Sequence, residues 1–270
     1  MSLRNILSRR NRVLLRELVV TDFKLRYQGS VLGYVWSLLK PLMLFAILYL
    51  VFIKFMRFEM PGGHGSIQLL LGIVMWSFFV EATTQGMQAI VSRGDLIRKI
   101  NFPKYIIIIS GTLSALINMT LNFLVVLGFL IINGVDIKWT ALLFPVYLLE
   151  LYVFSLAVAF ALAALYVKFR DIGHIWDVML QGLFYATPIL YPLSMVMQFS
   201  EQTAKILMVN PLAQIIQDAR YNLVSHGVIT TNTLIANPVF RLIPFILVAL
   251  TVIFAVYYFK KNQKYFAENV

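Results

Sequence analysis

The sequence predicts an all-α polytopic membrane protein with six transmembrane helices, an N-terminal amphipathic interface helix and two short re-entrant outer helices between spans five and six. Three observations predict it. The 270 residues are 60% hydrophobic and 13% charged, with a mean hydropathy of +0.81, whereas a soluble chain of that size runs near half apolar and a quarter charged. Six stretches reach the ~20 mostly apolar residues that a helix needs to span hydrocarbon. A basic lead-in carrying Arg9, Arg10, Arg12, Arg16, Lys24 and Arg26 stands directly before the first of them.

Residues 1–30 form the interface element. Ile6, Leu7, Val13, Leu14, Leu18, Val19, Phe23 and Leu25 interleave with Arg and Lys at near-helical spacing, the pattern of a helix lying along a membrane surface. Residues 31–270 are one transmembrane domain, with spans at 31–55, 67–91, 105–132, 139–167, 175–197 and 242–259. Positive charge beside a span stays cytoplasmic, and most of the 23 Lys and Arg fall on the leader's side of such a topology. Both termini are therefore expected in the cytoplasm. The net charge of +11 reads as topology rather than a nucleic-acid patch, because the basic residues sit at span ends. No apolar h-region precedes Val31 and no small-residue cleavage site follows, so no removable signal peptide is expected.

The long connection before the last span holds two segments of helical spacing, Glu201 to Val209 and Leu212 to Val224, broken by Asn210-Pro211 and ended by His226-Gly227. They are too short to cross. They read either as an interfacial loop resting on lipid or as re-entrant helices capping a pathway. Pro188 and Pro192, four apart in the fifth span, remove two backbone donors and predict a kink there. In the third span Gly111 and Ala115 have the small-xxx-small spacing of a close helix contact, and Asn118 and Asn122 stand one turn apart, placed to hydrogen-bond across helices.

Much chemistry is absent from the sequence. There is no cysteine and no GxxxxGK[ST] run, so neither a thiolate site nor a phosphate-cradling loop is expected, and the energy for any pumping has to come from another subunit. His64, His174 and His226 are scattered, without HExxH or a second ligand at metal spacing, so no metal site is expected. Glu81 and Glu150 fall inside spans, where an ionised carboxylate must face protein, water or a partner. Glu150 is expected to pair within the bundle. Glu81, near Thr83, Thr84 and Gln85, is expected on a polar cavity wall.

Four separated strings resemble one family. They are Arg26-Tyr27 with Ser30-Val31-Leu32-Gly33 and Trp36 ahead of Pro41; Leu96-Ile97-Arg98-Lys99-Ile100-Asn101-Phe102-Pro103-Lys104; Phe169-Arg170-Asp171-Ile172 with Gln181 and Thr187-Pro188-Ile189-Leu190-Tyr191; and Asn210-Pro211-Leu212. In this order the chain is similar to the membrane subunit of type-2 ABC exporters of cell-surface polysaccharide, which move O-antigen, capsule or teichoic acid chains. Lys40 departs from the pattern, since members more often carry an uncharged residue before the proline.

The resemblance implies a homodimer in the bacterial cytoplasmic membrane with two separate ATP-binding subunits. ATP and Mg are then held by those subunits, and this chain carries no cofactor and is a transport subunit rather than an enzyme. It further implies that Ile97, Arg98, Lys99, Ile100, Phe102 and Lys104 form a coupling helix seated on the ATPase, with Arg170 and Asp171 as a second contact. Tyr34, Trp36, Trp76, Phe78, Phe79, Phe184, Tyr185 and Tyr191 are the aromatics expected along a polymer track, the alternative being interfacial belts and packing. Arg4, Arg9, Arg10 and Arg12 are expected to attract the pyrophosphate head of an undecaprenyl-linked glycan or polyol-phosphate polymer. The rival readings are an exporter of drugs or small lipids on the same scaffold, a membrane-embedded transferase acting on lipid-linked sugars, and a passive pore.

Overall fold

A computed structural model describes residues 9–27, 32–57, 59–99 and 102–266. Among the described residues every regular element is helical: α1 (Arg9–Tyr27), α2 (Val35–Leu48, continued as a π-helix over Tyr49–Phe55), α3 (Gly65–Ser92), α4 (Gly94–Lys99), α5 (Tyr105–Ile132), α6 (Phe144–Lys168, entered through a 3-10 turn at Trp139–Leu143), α7 (Ile172–Ala186), α8 (Leu193–Phe199), α9 (Glu201–Leu207), α10 (Pro211–Leu223), α11 (Thr231–Leu234), α12 (Pro238–Arg241) and α13 (Ile243–Asn262). Five segments are long and apolar enough to cross a membrane: Val35–Phe55, Gly65–Ser92, Tyr105–Ile132, Trp139–Lys168 and Ile243–Tyr265.

The expected fifth span at 175–197 is not one helix. Its helical part, α7, has 15 residues and ends at Ala186, a length of about 22 Å at 1.5 Å per residue against roughly 30 Å of hydrocarbon. Pro188 cannot donate to the helix, and the chain turns through Thr187 to Pro192 before α8 begins.

α3 forms the axis of the bundle. It is buried along most of its length, with Leu69, Leu71, Ile73 and Met75 fully enclosed. α5 and α6 flank it. A Cβ on Gly86 of α3 would lie 2.5 Å from the Ala159 Cβ of α6, so glycine is what lets these two backbones approach so closely. Gly111 and Ala115 of α5 are both buried, and the nearest neighbour of Gly111 is the Gln85 backbone of α3, the close contact their spacing predicts.

α2 stands at the edge, with only Ser37 and Phe45 buried along Val35–Leu48. Pro41 inside it has no N–H for the Ser37 carbonyl. Asn122 of α5 supplies the missing donor, its Nδ2 lying 3.1 Å from the Ser37 oxygen.

α1 is the interface helix, and its two sides differ from a single apolar stripe. Leu14, Leu15 and Leu18 pack on Ile106 and Ile107 of α5 and their neighbours, whereas Val13 and Val20 are exposed. The protein-facing side is thus Leu-rich, and Val13 belongs with the outward residues Arg9, Arg10 and Arg12.

α9 and α10 lie where the sequence places two short helices, and their surroundings decide between the two readings. α10 is enclosed on nearly every side, including Leu212, Gln214, Ile216, Ala219 and Arg220. A helix resting on lipid would keep one face open, so for α10 the lipid-resting reading is corrected: it is an internal element packed against α3, α6 and α13, whereas along α9 only Ala204 is buried.

Candidate functional site

The most constrained point of the fold is the break after α7. In a continuous helix the Pro188 carbonyl would accept from residue 192, but that residue is Pro192 and has no N–H. Arg220 of α10 replaces it. Its Nη1 donates to the Pro188 oxygen at 2.7 Å, Nη2 to the Ile189 oxygen at 2.8 Å and Nε to the Gln68 oxygen of α3 at 2.9 Å. Non-helical backbone at membrane depth persists only where protein satisfies its freed groups, and a planar guanidinium can serve three carbonyls at once. Arg220 is 1% exposed. It reaches Gln68 across Gly72, where a Cβ would sit 2.4 Å from Nη2.

Two of the resembling strings meet at this break. Asn210 caps α10 by accepting from the Leu212 N–H at 3.0 Å, and its Nδ2 donates to Thr187 Oγ1 at 3.1 Å. Thr187 in turn donates to the Leu183 carbonyl at 2.8 Å, closing the last turn of α7. The Asn-Pro-Leu and Thr-Pro-Ile-Leu-Tyr strings are therefore two halves of one junction.

A groove of about 570 Å³ runs between α2, α3 and α5. Glu81 lines it, as the sequence leads one to expect, with Gln85, Thr84, Asn118, Asn122 and Lys40. The Glu81 Oε1 accepts from Asn118 Nδ2 at 2.7 Å and from Gln85 Nε2 at 3.0 Å. This links α3 to α5 through Asn118, whereas Asn122 reaches α2.

The aromatic residues divide. Trp36, Trp76 and Phe78 line the groove. Tyr34 and Tyr185 are exposed, and the Tyr191 hydroxyl donates to the Tyr185 carbonyl at 2.8 Å across the break. Phe184 rests on Trp76 with ring centres 5.5 Å apart. Phe79 is 1% exposed and packs between Phe154 and Trp176, so it builds the core and offers no surface to a track.

The segment between α3 and α5 sits against the interface helix. Arg93 pairs with Asp22 of α1 and donates to Ser110 Oγ of α5 at 3.0 Å. Burial lowers the Arg93 guanidinium from its ordinary value, the usual effect of desolvating a cation. In α4, Arg98 and Asp95 form an exposed pair at 3.3 Å, and Lys99 is exposed. Ile97, expected in the coupling helix, is only 7% exposed and packs with Ile90, Ile106 and Val167. Phe102 is partly buried against the same cluster, and Lys104 donates to the Gln263 carbonyl at 2.8 Å. Arg170 lies over the Tyr166 ring at 5.4 Å, with Asp171 exposed beside it. Ile100 and Arg4 fall outside the described residues.

On the side of α10 nearest Glu150, Gln214 donates to Asp218 at 2.8 Å. Asn222 joins Tyr147 at 3.0 Å on the same side. His226 shares a 3.3 Å hydrogen bond with Thr140, and no group of three metal-ligating side chains occurs among the described residues.

The sequence matches the ABC-2 type transporter family over residues 13–224. One curated relative, the O-antigen export system permease protein RfbA of Myxococcus xanthus, is 34% identical over 204 residues, 76% of this chain and 77% of the relative. Another of the same name, from Klebsiella pneumoniae, is 28% identical over 197 residues, 72% of this chain and 74% of its own length. The chain belongs to the ABC-2 type transporter family, as a membrane-embedded transport subunit that works with an ATPase partner.

Proposed function

We propose that the chain is the permease subunit of an ATP-driven exporter that moves a lipid-linked surface polysaccharide across the bacterial cytoplasmic membrane. The observation that carries this reading is the likeness to O-antigen export permeases over about three-quarters of both chains. The absence of a phosphate-cradling loop from the sequence agrees with a motor held on a separate subunit.

In this reading two copies form the conduit and two ATP-binding subunits, carrying ATP and Mg, dock beneath them. Both termini are cytoplasmic, and α7 completes a sixth crossing through its broken end. α4 with Arg98 and Lys99, the Phe102 to Lys104 turn, and Arg170 with Asp171 form the docking face. Arg98, Lys99, Arg170 and Asp171 are supported as contacts by their exposure and charge. Ile97 and Phe102 serve by anchoring that face to the bundle. The Asp22–Arg93 pair ties α1 to the start of α4, so that α1 moves with the docking face. Arg9, Arg10 and Arg12, on the outward side of α1, attract the phosphate-bearing head of the lipid carrier, as does Arg4 before them. At the other end, α9 and α10 cap the exit. Tyr34, Trp36, Trp76, Tyr185 and Tyr191 are the aromatics placed to meet a sliding chain.

Deleting the gene in its native host and staining surface glycan tests the reading. Loss of the surface polymer, with lipid-linked polymer accumulating inside and rescue by the wild-type chain, is the expected result. Unchanged surface glycan together with altered drug or lipid efflux would overturn it.

A further inference from the structure

We propose that the pocket between the start of α5 and the end of α13 is a phospholipid site, which holds the phosphate of an anionic glycerophospholipid and lays an acyl chain along α13. The site is separate from the groove lined by Glu81, and it does not depend on what the chain exports.

The pocket, of about 410 Å³, is lined by Pro103, Tyr105, Lys260 and Gln263. It lies at the end of the bundle that carries α1 and α4, because Ile106 beside Tyr105 and Phe259 beside Lys260 share one core cluster with Ile97 of α4 and Leu14 of α1. Among the described residues no carboxylate lines it. Lys260 is exposed in the last turn of α13 and has neither hydrogen bond nor ion pair among the described residues. Tyr105 is 6% exposed, and its hydroxyl is buried without a hydrogen-bond partner, a state that carries a desolvation cost until an acceptor arrives. Gln263 brings a side-chain amide, while its backbone carbonyl already accepts from Lys104 Nζ at 2.8 Å, so the acceptor on that wall is covered. The pocket also meets the first residue of α5, a 28-residue helix whose N-terminus has no side-chain cap and whose positive end favours an anion. An ammonium, an orphan hydroxyl, an amide and a helix N-terminus together suit a ligand with several charged acceptor oxygens, which is a phosphate.

The surface beside the pocket selects a lipid over a free phosphate. Tyr257, Ile253, Leu250 and Ile246 follow Lys260 back along α13 at helical spacing and are 64, 65, 55 and 49% exposed, so they form one apolar stripe that runs into the pocket. Tyr257 lies 11 residues from Ile246, roughly 16 Å along the helix, and half of the ~30 Å hydrocarbon is about that depth. An acyl chain of one leaflet therefore matches the stripe in length, with Tyr257 at the interfacial level where tyrosine concentrates. An anionic head suits Lys260 and Lys104; a zwitterionic one would bring its own cation beside them.

Native mass spectrometry of the detergent-purified full chain tests the site. The protein is titrated with phosphatidylglycerol, with phosphatidylcholine and with inorganic phosphate, and the bound species are counted. The proposal predicts that phosphatidylglycerol is retained in preference to the other two. Lys260→Gln and Tyr105→Phe should each weaken it ~10-fold, the loss of one hydrogen bond to a charged group. Lys264→Gln removes the same charge at the same end, but Lys264 lies over the Tyr265 ring and does not line the pocket, so retention should be unchanged. Tyr105→Phe should leave the lipid-free protein as thermally stable as the wild type, because its hydroxyl has no partner to lose, and should abolish the rise in melting temperature that phosphatidylglycerol gives the wild type. Equal losses for Lys260→Gln and Lys264→Gln, with normal binding by Tyr105→Phe, would mean diffuse attraction and would overturn the site. Phosphatidylcholine retained as well as phosphatidylglycerol overturns the anionic assignment, and inorganic phosphate bound as tightly overturns the lipid one. Retention of no lipid by the wild type overturns the proposal outright.

Discussion

Arg220 donates its Nη1 to the Pro188 carbonyl at 2.7 Å, and that carbonyl lacks a helical partner because the residue four positions on is Pro192. The same solution recurs in α2, where Pro41 deprives the Ser37 carbonyl and Asn122 replaces the donor at 3.1 Å. In both places a proline frees an acceptor inside the protein, and a side chain from another helix takes it. The kinks are thereby converted into tertiary joints. α7 cannot move at its broken end without dragging α10, nor α2 without α5.

Arg220→Ala should be among the most damaging single substitutions in the chain. It leaves three buried carbonyls with one partner fewer, and a buried acceptor left unsatisfied costs about 1–3 kcal/mol. Arg220→Lys should recover only part of the loss, since an ammonium on a flexible stem cannot reproduce the planar fork. Thermal unfolding of the detergent-purified protein, followed by fluorescence-detected size exclusion, measures both.

Gly72→Ala attacks the same joint from the other side. Its Cβ would stand 2.4 Å from Arg220 Nη2, and the guanidinium, held by three carbonyls, has nowhere to retreat. The substitution alone should cost about 1–3 kcal/mol as overpacking. Combined with Arg220→Ala it should cost far less than the sum, because the clash disappears with the arginine.

Asn122→Ala should destabilise by about 1–3 kcal/mol in the wild-type chain, the cost of leaving a buried carbonyl unsatisfied. Placed in a Pro41→Ala background, where residue 41 regains its own N–H for Ser37, most of that cost should vanish. Equal costs in the two backgrounds would show that the Asn122 bond does not serve the proline's orphan carbonyl.

The Asp22–Arg93 pair links the interface helix to the docking face. Asp22→Arg should loosen α1, seen as faster proteolysis of the N-terminal segment, and should weaken export. The exchange Asp22→Arg with Arg93→Asp should restore both in large part, which loss of an isolated charge would not.

Five of the six expected spans, the leader helix over its described residues and the two short helices are legible in the sequence because hydrophobic periodicity and Asn-Pro breaks report directly on local structure. Glu81 on a cavity wall is legible too, since a mid-span carboxylate among Thr and Gln has few tolerable surroundings. Arg220 is not. An arginine in a connection before the last span reads as a topology charge, and the only hint is its setting among Leu212, Ile216, Ala219 and Leu223, all buried. The Pro188–Pro192 spacing did carry the complementary half: four residues is the step of a helical hydrogen bond, so it marks which carbonyl goes without. The burial of Ile97 is hidden from the sequence for a different reason. Its apolar side chain fits a partner's groove and this chain's own core equally well, and only tertiary packing reveals that Ile90 and Ile106 have already taken it.

The central claim is that this chain is a conduit worked by a separate motor. Its most direct test is polymer translocation in proteoliposomes loaded with the host's lipid-linked glycan. The chain reconstituted with its ATP-binding subunit should move glycan across the bilayer when ATP and Mg are added and stop when a non-hydrolysable analogue replaces ATP. Reconstituted alone it should move none against a gradient; uphill movement of glycan by the chain without its partner would contradict the account.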